Sequence, residues 1–164
     1  MIRLATAADV RSMLELERSS STAARWTEPQ YRELFVSGGA ERLILVAEPP
    51  AQRASDAASS STGILGFLVA RHLAPDWELE NIAVSSSARR QGIGKQLLHA
   101  LVAAARETKS DSVFLEVRQS NTAAQNLYTK AGFEQTGRRK SYYANPIEDA
   151  VLYRLTLDRS RFSQ

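Results

Sequence analysis

Between residues 97 and 105 the apolar positions Leu97, Leu98, Leu101, Val102 and Ala105 recur at the three- and four-residue intervals of one helix face. A β-compatible run at 77–84 precedes this helix, entered through the Ala74-Pro75-Asp76 turn. After it, 113–118 alternates, with Val113, Leu115 and Val117 on one face and Phe114, Glu116 and Arg118 on the other. Nearer the start, 2–5 reads as a short strand. It leads into a helix capped at Thr6, with Asp9 at the capping-box position and apolar residues at Val10, Met13, Leu14 and Leu16. Thr27 opens a second helix, with Pro29 tolerated in the first turn, Gln30 closing a capping box and Tyr31, Leu34 and Phe35 as its stripe; Gly38-Gly39 ends it. The apolar runs 43–47 and 63–70 are strands. The insert at 49–62 between them, rich in Ala and Ser and without a large apolar residue, reads as a flexible hairpin loop. A helix at 121–131 stopped by Gly132 and strands around 133–137 and 150–157 complete the order βααβββαβαββ.

The length, 164 residues, suits one domain, 1–164, able to bury about two thirds of its unfolded surface. There is no cysteine, which excludes disulfides, thiolate metal sites and a cysteine nucleophile, and His72 and His99 are too few for a histidine metal cluster. No metal is expected. The N-terminus lacks a signal-peptide core, and no stretch approaches the ~20 apolar residues of a membrane span, so a soluble cytoplasmic protein with no membrane role is the default. A net charge of +3 and a pI near 9.4 raise the question of nucleic acid, but acidic and basic residues are interspersed. No RNA-binding signature accompanies the charge, so a direct nucleic-acid role is not expected. The basic clusters at 89–95 and at Arg138-Arg139-Lys140 suit a polyanionic cofactor or an acidic partner equally well.

The first of these clusters, Arg89-Arg90-Gln91-Gly92-Ile93-Gly94-Lys95, stands where a strand gives way to a helix. The first N–H groups of a helix lack intrahelical partners and its dipole favours negative charge, so main chain alone can bind a phosphate there. Glycine keeps that approach open. A Walker A loop would need glycine at Arg89 and Ser or Thr at Gln96, and a dinucleotide fingerprint a small residue at Leu97; neither is present. The run reads as a pyrophosphate cradle. Further on, Glu116 sits in mid-strand, where a carboxylate needs a partner or a role. An ion pair with Arg118 on the same face is the structural reading. On the following helix Asn121, Gln125 and Tyr128 share a stripe. Tyr128 is either a half-buried aromatic or a general acid, with Glu116 as the matching base.

The pattern Arg89-x-x-Gly92-x-Gly94 resembles the acetyl-CoA loop of the GNAT N-acetyltransferases. The stretch Leu115-Glu116-Val117-Arg118-Gln119-Ser120-Asn121, the continuation through Tyr128 to Gly132-Phe133, Asn81-Ile82-Ala83-Val84, and Arg138-Arg139-Lys140-Ser141-Tyr142-Tyr143 resemble the RimI branch, the bacterial N-terminal alanine acetyltransferases of a ribosomal protein. The likeness extends from Trp26 to Ala150. It implies an α/β GNAT fold, a single mixed and mostly antiparallel sheet flanked by helices, with acetyl-CoA as co-substrate and a protein N-terminus, ribosomal in this branch, as partner. By the same resemblance Glu116 takes the amine proton and Tyr128 gives one to the leaving thiolate. Main chain at Ile82, Ala83 and Val84 and the amide of Asn121 hold the cofactor with Arg89, Arg90, Gln91, Gly92, Ile93, Gly94 and Lys95, and Trp26, Tyr142 and Tyr143 border the peptide. For the two tyrosines, an aromatic hairpin packed on the sheet is the equal alternative. Glu78 and Glu80 are competing bases on the strand before Ile82. Acetylation of lysine or a small-molecule amine, and a CoA-binding or ribosome-associated module without catalysis, are the rival functions. Two features depart from the family: the Ala/Ser insert, and Arg25, where proline is frequent. No extended apolar surface marks a dimer, so a monomer is expected.

Overall fold

The computed structural model describes residues 1–20, 24–36, 41–50 and 63–158. Among these, the strands are β1 (Ile2–Leu4), β2 (Arg42–Ala47), β3 (Gly66–Leu73), β4 (Asp76–Val84), β5 (Ser112–Arg118), β6 (Glu134–Tyr143) and β7 (Glu148–Thr156). The helices are α1 (Val10–Ser19), α2 (Glu28–Glu33), α3 (Ile93–Glu107) and α4 (Thr122–Lys130). One sheet forms in the order β1-β2-β3-β4-β5-β7-β6, antiparallel except between β4 and β5. That parallel step is the crossover made by α3.

The apolar runs of β2 and β3 follow from burial on both faces. Leu45, Ala47, Leu68 and Ala70 point to one core with Trp77, Leu79, Leu115 and the α3 residues Leu97, Leu98 and Leu101. Ile44, Val46, Phe67 and Val69 point to the other, against Val10, Met13 and Leu14 of α1 and Tyr31 of α2. Both predicted caps form. Thr6 and Asp9 make a capping box over the 3-10 turn Ala7–Asp9 that leads into α1, and Thr27 and Gln30 make another on α2. Among the described residues no helix is long and apolar enough to cross a membrane.

Several boundaries move. The second helix ends at Glu33 and passes into a turn, ahead of Gly38-Gly39, which lie outside the described residues. Of the insert expected at 49–62, residues 51–62 also lie outside them. β3 starts at Gly66 instead of 63, because Leu65 reaches β2 only by one bond, its N–H to the Ala47 carbonyl at 2.6 Å. β6 runs to Tyr143, well beyond the expected 137, so the Arg-Arg-Lys cluster and both tyrosines belong to an edge strand.

The central feature is a fork. β4 stays paired with β3 as far as Val84, and β5 with β7 as far as Arg118. Between themselves β4 and β5 pair only from Asp76/Ser112 to Leu79/Leu115. Past that point the strands part, leaving the β4 edge from Glu80 onward without a sheet partner on that side. At the branch β4 carries a bulge, since Ala70 faces Leu79 while Val69 faces Asn81, which leaves Glu80 as the extra residue. A bulge bends the strand and re-aims its side chains.

Candidate active site

The parted strands enclose a cleft of about 190 Å³. One wall is Leu79, Glu80, Asn81 and Ile82 of β4; the other is Glu116, Val117 and Arg118 of β5. Asn121, Ala124 and Tyr128 of α4 contribute from below, Tyr143 from the end of β6, and Ala24 with Arg25 from the segment before α2. Distant parts of the chain thus bring Glu116, Tyr128, Asn121, Ile82 and Tyr143 together.

Glu116 does not pair with Arg118, contrary to the expectation from their shared face. Arg139 of β6 forms an ion pair with its carboxylate at 2.8 Å, while Arg118 turns to Glu148 at 3.3 Å. The β5–β7–β6 register explains the exchange: Glu116 faces Leu152 and Arg118 faces Ala150, and Ala150 in turn faces Arg139. This places Arg139 diagonally across from Glu116. The hydroxyl of Tyr142 hydrogen-bonds to Glu116, which holds that phenol above its ordinary pKa. Burial first, and then Glu116, push Tyr143 up to about 12, and the Arg118 guanidinium lies 4.3 Å from its ring centre. The two tyrosines therefore face the cleft rim through Glu116 and Arg118, beyond packing on each other at 5.1 Å.

Tyr128 is 4 % exposed, with its ring between Phe133 and Tyr153 at 5.9 and 6.0 Å. Burial raises its pKa far above the ordinary phenol value, so it carries its proton throughout the neutral range. α4 is fastened to the end of β5 by Gln125, whose amide nitrogen donates to the carbonyls of Arg118 and Gln119 at 3.2 and 2.8 Å. Asn121 is the N-cap of α4, its side-chain oxygen accepting from the Ala124 N–H at 3.1 Å.

The glycine loop lies at the far end of the same fork. Gly92 caps α3 with φ of +80°, in the left-handed region that disfavours a side chain. A Cβ on Gly94 would stand 3.0 Å from Leu127 of α4 and 3.8 Å from Val84 of β4, which locates the start of α3 beside the last residue of β4. Arg89, Arg90 and Lys95 are exposed around it, Gln91 bonds back to the Ser87 carbonyl at 3.1 Å, and Ile93 is buried. Main chain of Ile82, Ala83 and Val84 therefore runs from the cleft to the cradle. A glycine with φ of +80° at a helix start, ringed by cations, fits a diphosphate-bearing ligand whose remainder extends along β4.

Trp26 does not line the cleft. It is partly buried against Tyr31, ring centres 5.5 Å apart, and supports the segment from behind. Its neighbour Arg25 has the lining position. Also missed by sequence reasoning was a buried network behind the β4 wall, where Asn81 donates from its amide to Glu17 at 2.9 Å and to the Tyr31 hydroxyl at 3.1 Å. Glu17 is 2 % exposed on α1. Nothing local marks it, because a glutamate in an amphipathic helix is ordinary until the helix is docked. Among the described residues no cluster of histidine, aspartate or glutamate is arranged to hold a metal ion.

The model of the acetyltransferase (GNAT) family matches residues 10–133. The chain belongs to the GNAT acetyltransferase family. Within the family it is similar to a Bacillus subtilis protein provisionally named a ribosomal protein bS18-alanine N-acetyltransferase, 30% identical over 92% of this chain and 91% of that protein. A Haemophilus ducreyi ribosomal protein bS18-alanine N-acetyltransferase is 40% identical over 57% of the chain and 67% of its own length. Two solved structures share the fold. The ribosomal-protein-S18-alanine N-acetyltransferase of Escherichia coli aligns over 96% of this chain and 94% of that one, with a TM-score of 0.74 at 24% identity. Arabidopsis thaliana NAA60 in complex with a bisubstrate analogue aligns over 96% and 98%, with a TM-score of 0.81 at 17% identity.

Proposed function

We propose that this GNAT acetyltransferase moves the acetyl group of acetyl-CoA to the α-amino group of a protein N-terminus in the cytoplasm, an N-terminal alanine of a ribosomal protein being the acceptor. The observation that carries the reading is the fork between β4 and β5, which has a carboxylate on one wall, a protonated phenol at its base and a glycine cradle at its far end. The B. subtilis relative, similar along almost the whole chain, supports the choice of acceptor.

In this reading Gly92, Gly94 and the cations at 89, 90 and 95 hold the diphosphate, and the free edge of β4 from Ile82 to Val84 hydrogen-bonds the pantetheine and acetyl portions. One of those N–H groups stabilises the oxyanion. The acceptor amine attacks the thioester carbonyl carbon; the C–N bond forms and the C–S bond breaks. Glu116 takes the proton leaving nitrogen, through water, and Tyr128 supplies a proton to the departing sulfur, regaining its own from solvent. A phenol raised above its ordinary pKa is a weaker acid than a thiol near 8.5, so Tyr128 acts first as a hydrogen-bond donor and completes the transfer late. An α-amine with a pKa of about 7.7 to 8.0 is on the order of 10% neutral at pH 7, which leaves the base a light task. Glu116 is favoured over its rivals by its fastening. Glu80 is held by Arg42 and Arg71 at 3.2 and 3.5 Å and Glu78 by Arg71 at 2.7 Å, whereas the arginine on Glu116 is itself 57% exposed and readily displaced.

The test is thiol release from acetyl-CoA with two peptides, one beginning with free alanine and one acetylated there but carrying lysine. Selective turnover of the first is expected. Turnover of the second alone would assign the fold to a lysine or small-amine acetyltransferase instead.

A further inference from the structure

From Glu80 onward the edge of β4 toward β5 has no strand partner, and side chains at the branch fasten it instead. Glu80, the extra residue of the bulge, is gripped from β2 and β3 by Arg42 and Arg71 at 3.2 and 3.5 Å. The next residue, Asn81, is gripped from the helices. Its amide donates to Glu17 of α1 at 2.9 Å and to the Tyr31 hydroxyl of α2 at 3.1 Å. Glu17 is 2 % exposed and Tyr31 fully buried, the phenol ring seated between Trp26 and Phe67 at 5.5 and 5.9 Å. Burial first, and then the Glu17 charge, hold that phenol far above its ordinary pKa, so it keeps its proton. An apolar side chain at position 17 would serve packing as well or better, so the buried carboxylate is explained by what it holds. What it holds is the wall of the cleft, since Asn81 lines the cavity beside Ile82. A shift of the bulge by one residue would re-aim both side chains and the main-chain groups between them.

We propose that Glu17 and Tyr31 are positioning residues for acetyl transfer: through Asn81 they fix the free edge of β4 where its N–H groups meet the thioester. The proposal rests on the reading that this edge holds the acetyl portion of acetyl-CoA. Neither residue touches the reacting atoms. An oxyanion donor acts by being in place before charge develops, so a displacement well under the length of a hydrogen bond costs rate more than affinity. The diphosphate, bound at the glycine cradle, is the part of acetyl-CoA that this clamp leaves alone.

The experiment measures kcat, with whichever of the two peptides the wild type acetylates, and the Kd of acetyl-CoA by calorimetry. The proteins are wild type, Glu17→Leu, Glu17→Gln, Tyr31→Phe and Val10→Ala, at a temperature where melts show each to be folded. Leucine fills the Glu17 site without an acceptor, whereas glutamine keeps an oxygen for the Asn81 amide. Val10, buried in the same core at the start of α1, is the control for loss of stability alone. Glu17→Leu should lower kcat by about 10-fold or more and Tyr31→Phe by about 3-fold, with acetyl-CoA Kd changed by less than about 2-fold. Glu17→Gln should stay within about 3-fold of wild type and Val10→Ala should match it. An undiminished kcat in both Glu17→Leu and Tyr31→Phe, a Glu17→Gln as impaired as Glu17→Leu, or an equal loss in Val10→Ala overturns the positioning role and leaves the acetyltransferase reading standing. Where Glu17→Leu does not fold, Tyr31→Phe against Val10→Ala decides. A wild type that turns over acetyl-CoA with neither peptide overturns both.

Discussion

Replacing Asn81 by aspartate changes no volume and turns a donor into an acceptor. In the native protein the Asn81 amide donates to the buried Glu17 carboxylate at 2.9 Å and to the Tyr31 hydroxyl at 3.1 Å. In the variant two carboxylates would stand at about that separation, which at an effective dielectric of about 20 costs roughly 6 kcal/mol. The alternative is for one of them to hold a proton, restoring a donor between the oxygens. With an ordinary carboxyl pKa near 4, that costs at pH 7 roughly three pH units at about 1.4 kcal/mol each, or about 4 kcal/mol. The protonated route wins by a small margin and sets the penalty. Because the folded variant then binds a proton that the unfolded chain does not, its stability rises as pH falls, and at pH 5 the penalty drops to about 1.4 kcal/mol. For a domain of this size about 2 to 4 °C corresponds to each kcal/mol, so Tm should fall about 8 to 16 °C below wild type at pH 7 and only about 3 to 6 °C at pH 5. Calorimetric melts of both proteins at the two pH values test this. An Asn81→Asp deficit that is equal at pH 5 and pH 7, or below about 1 kcal/mol at pH 7, would refute the buried network as drawn.

Three further outcomes are expected. Glu116→Gln and Tyr128→Phe should each lower kcat by about 10²-fold or more while changing acetyl-CoA affinity little, read by steady-state rates beside calorimetric binding. Gly92→Ala should cost about 1 to 2 kcal/mol through its left-handed φ, although its Cβ would meet only the Gln96 side chain at 4.0 Å, and Gly92→Val, bulkier beside the phosphate path, should abolish acetyl-CoA binding in the same titration. The Arg3 guanidinium, on both Asp9 oxygens at 2.8 Å, holds that carboxyl below its usual range, so its contribution is present above the unfolded pKa near 4 and lost as pH falls through the folded value. Asp9→Asn should therefore be less stable than wild type by about 1 kcal/mol at pH 7, and the gap should close as pH falls below the usual carboxyl range, in urea titrations at each pH.

Everything that depends on neighbours in the chain was already set by the amino-acid order. The element sequence, the caps at Thr6 and Thr27, the face of α3 that is buried, the stop at Gly132 and the left-handed turn at Gly92 all arise from periodicity or from the conformational preferences of single residues, which act over a few positions. Glu116 and Tyr128 could be singled out for the same reason, one as a carboxylate on an apolar strand and the other as an aromatic on a polar stripe. What required the tertiary structure was every relation set by register between distant segments. Arg139 displaced Arg118 as the partner of Glu116 because strand pairing places it diagonally across, 23 residues away in sequence. Glu17 found Asn81 only once α1 lay on β4, and Arg25, not Trp26, took the cleft wall because the aromatic ring had a core to fill. The fork itself is the clearest case: β4 and β5 each read as ordinary strands, and their separation past Leu79 and Leu115 depends on a bulge and on which neighbour each continues to pair with. Hydrogen bonds between strands are non-local, so a sequence can specify the strands without displaying where their pairing stops.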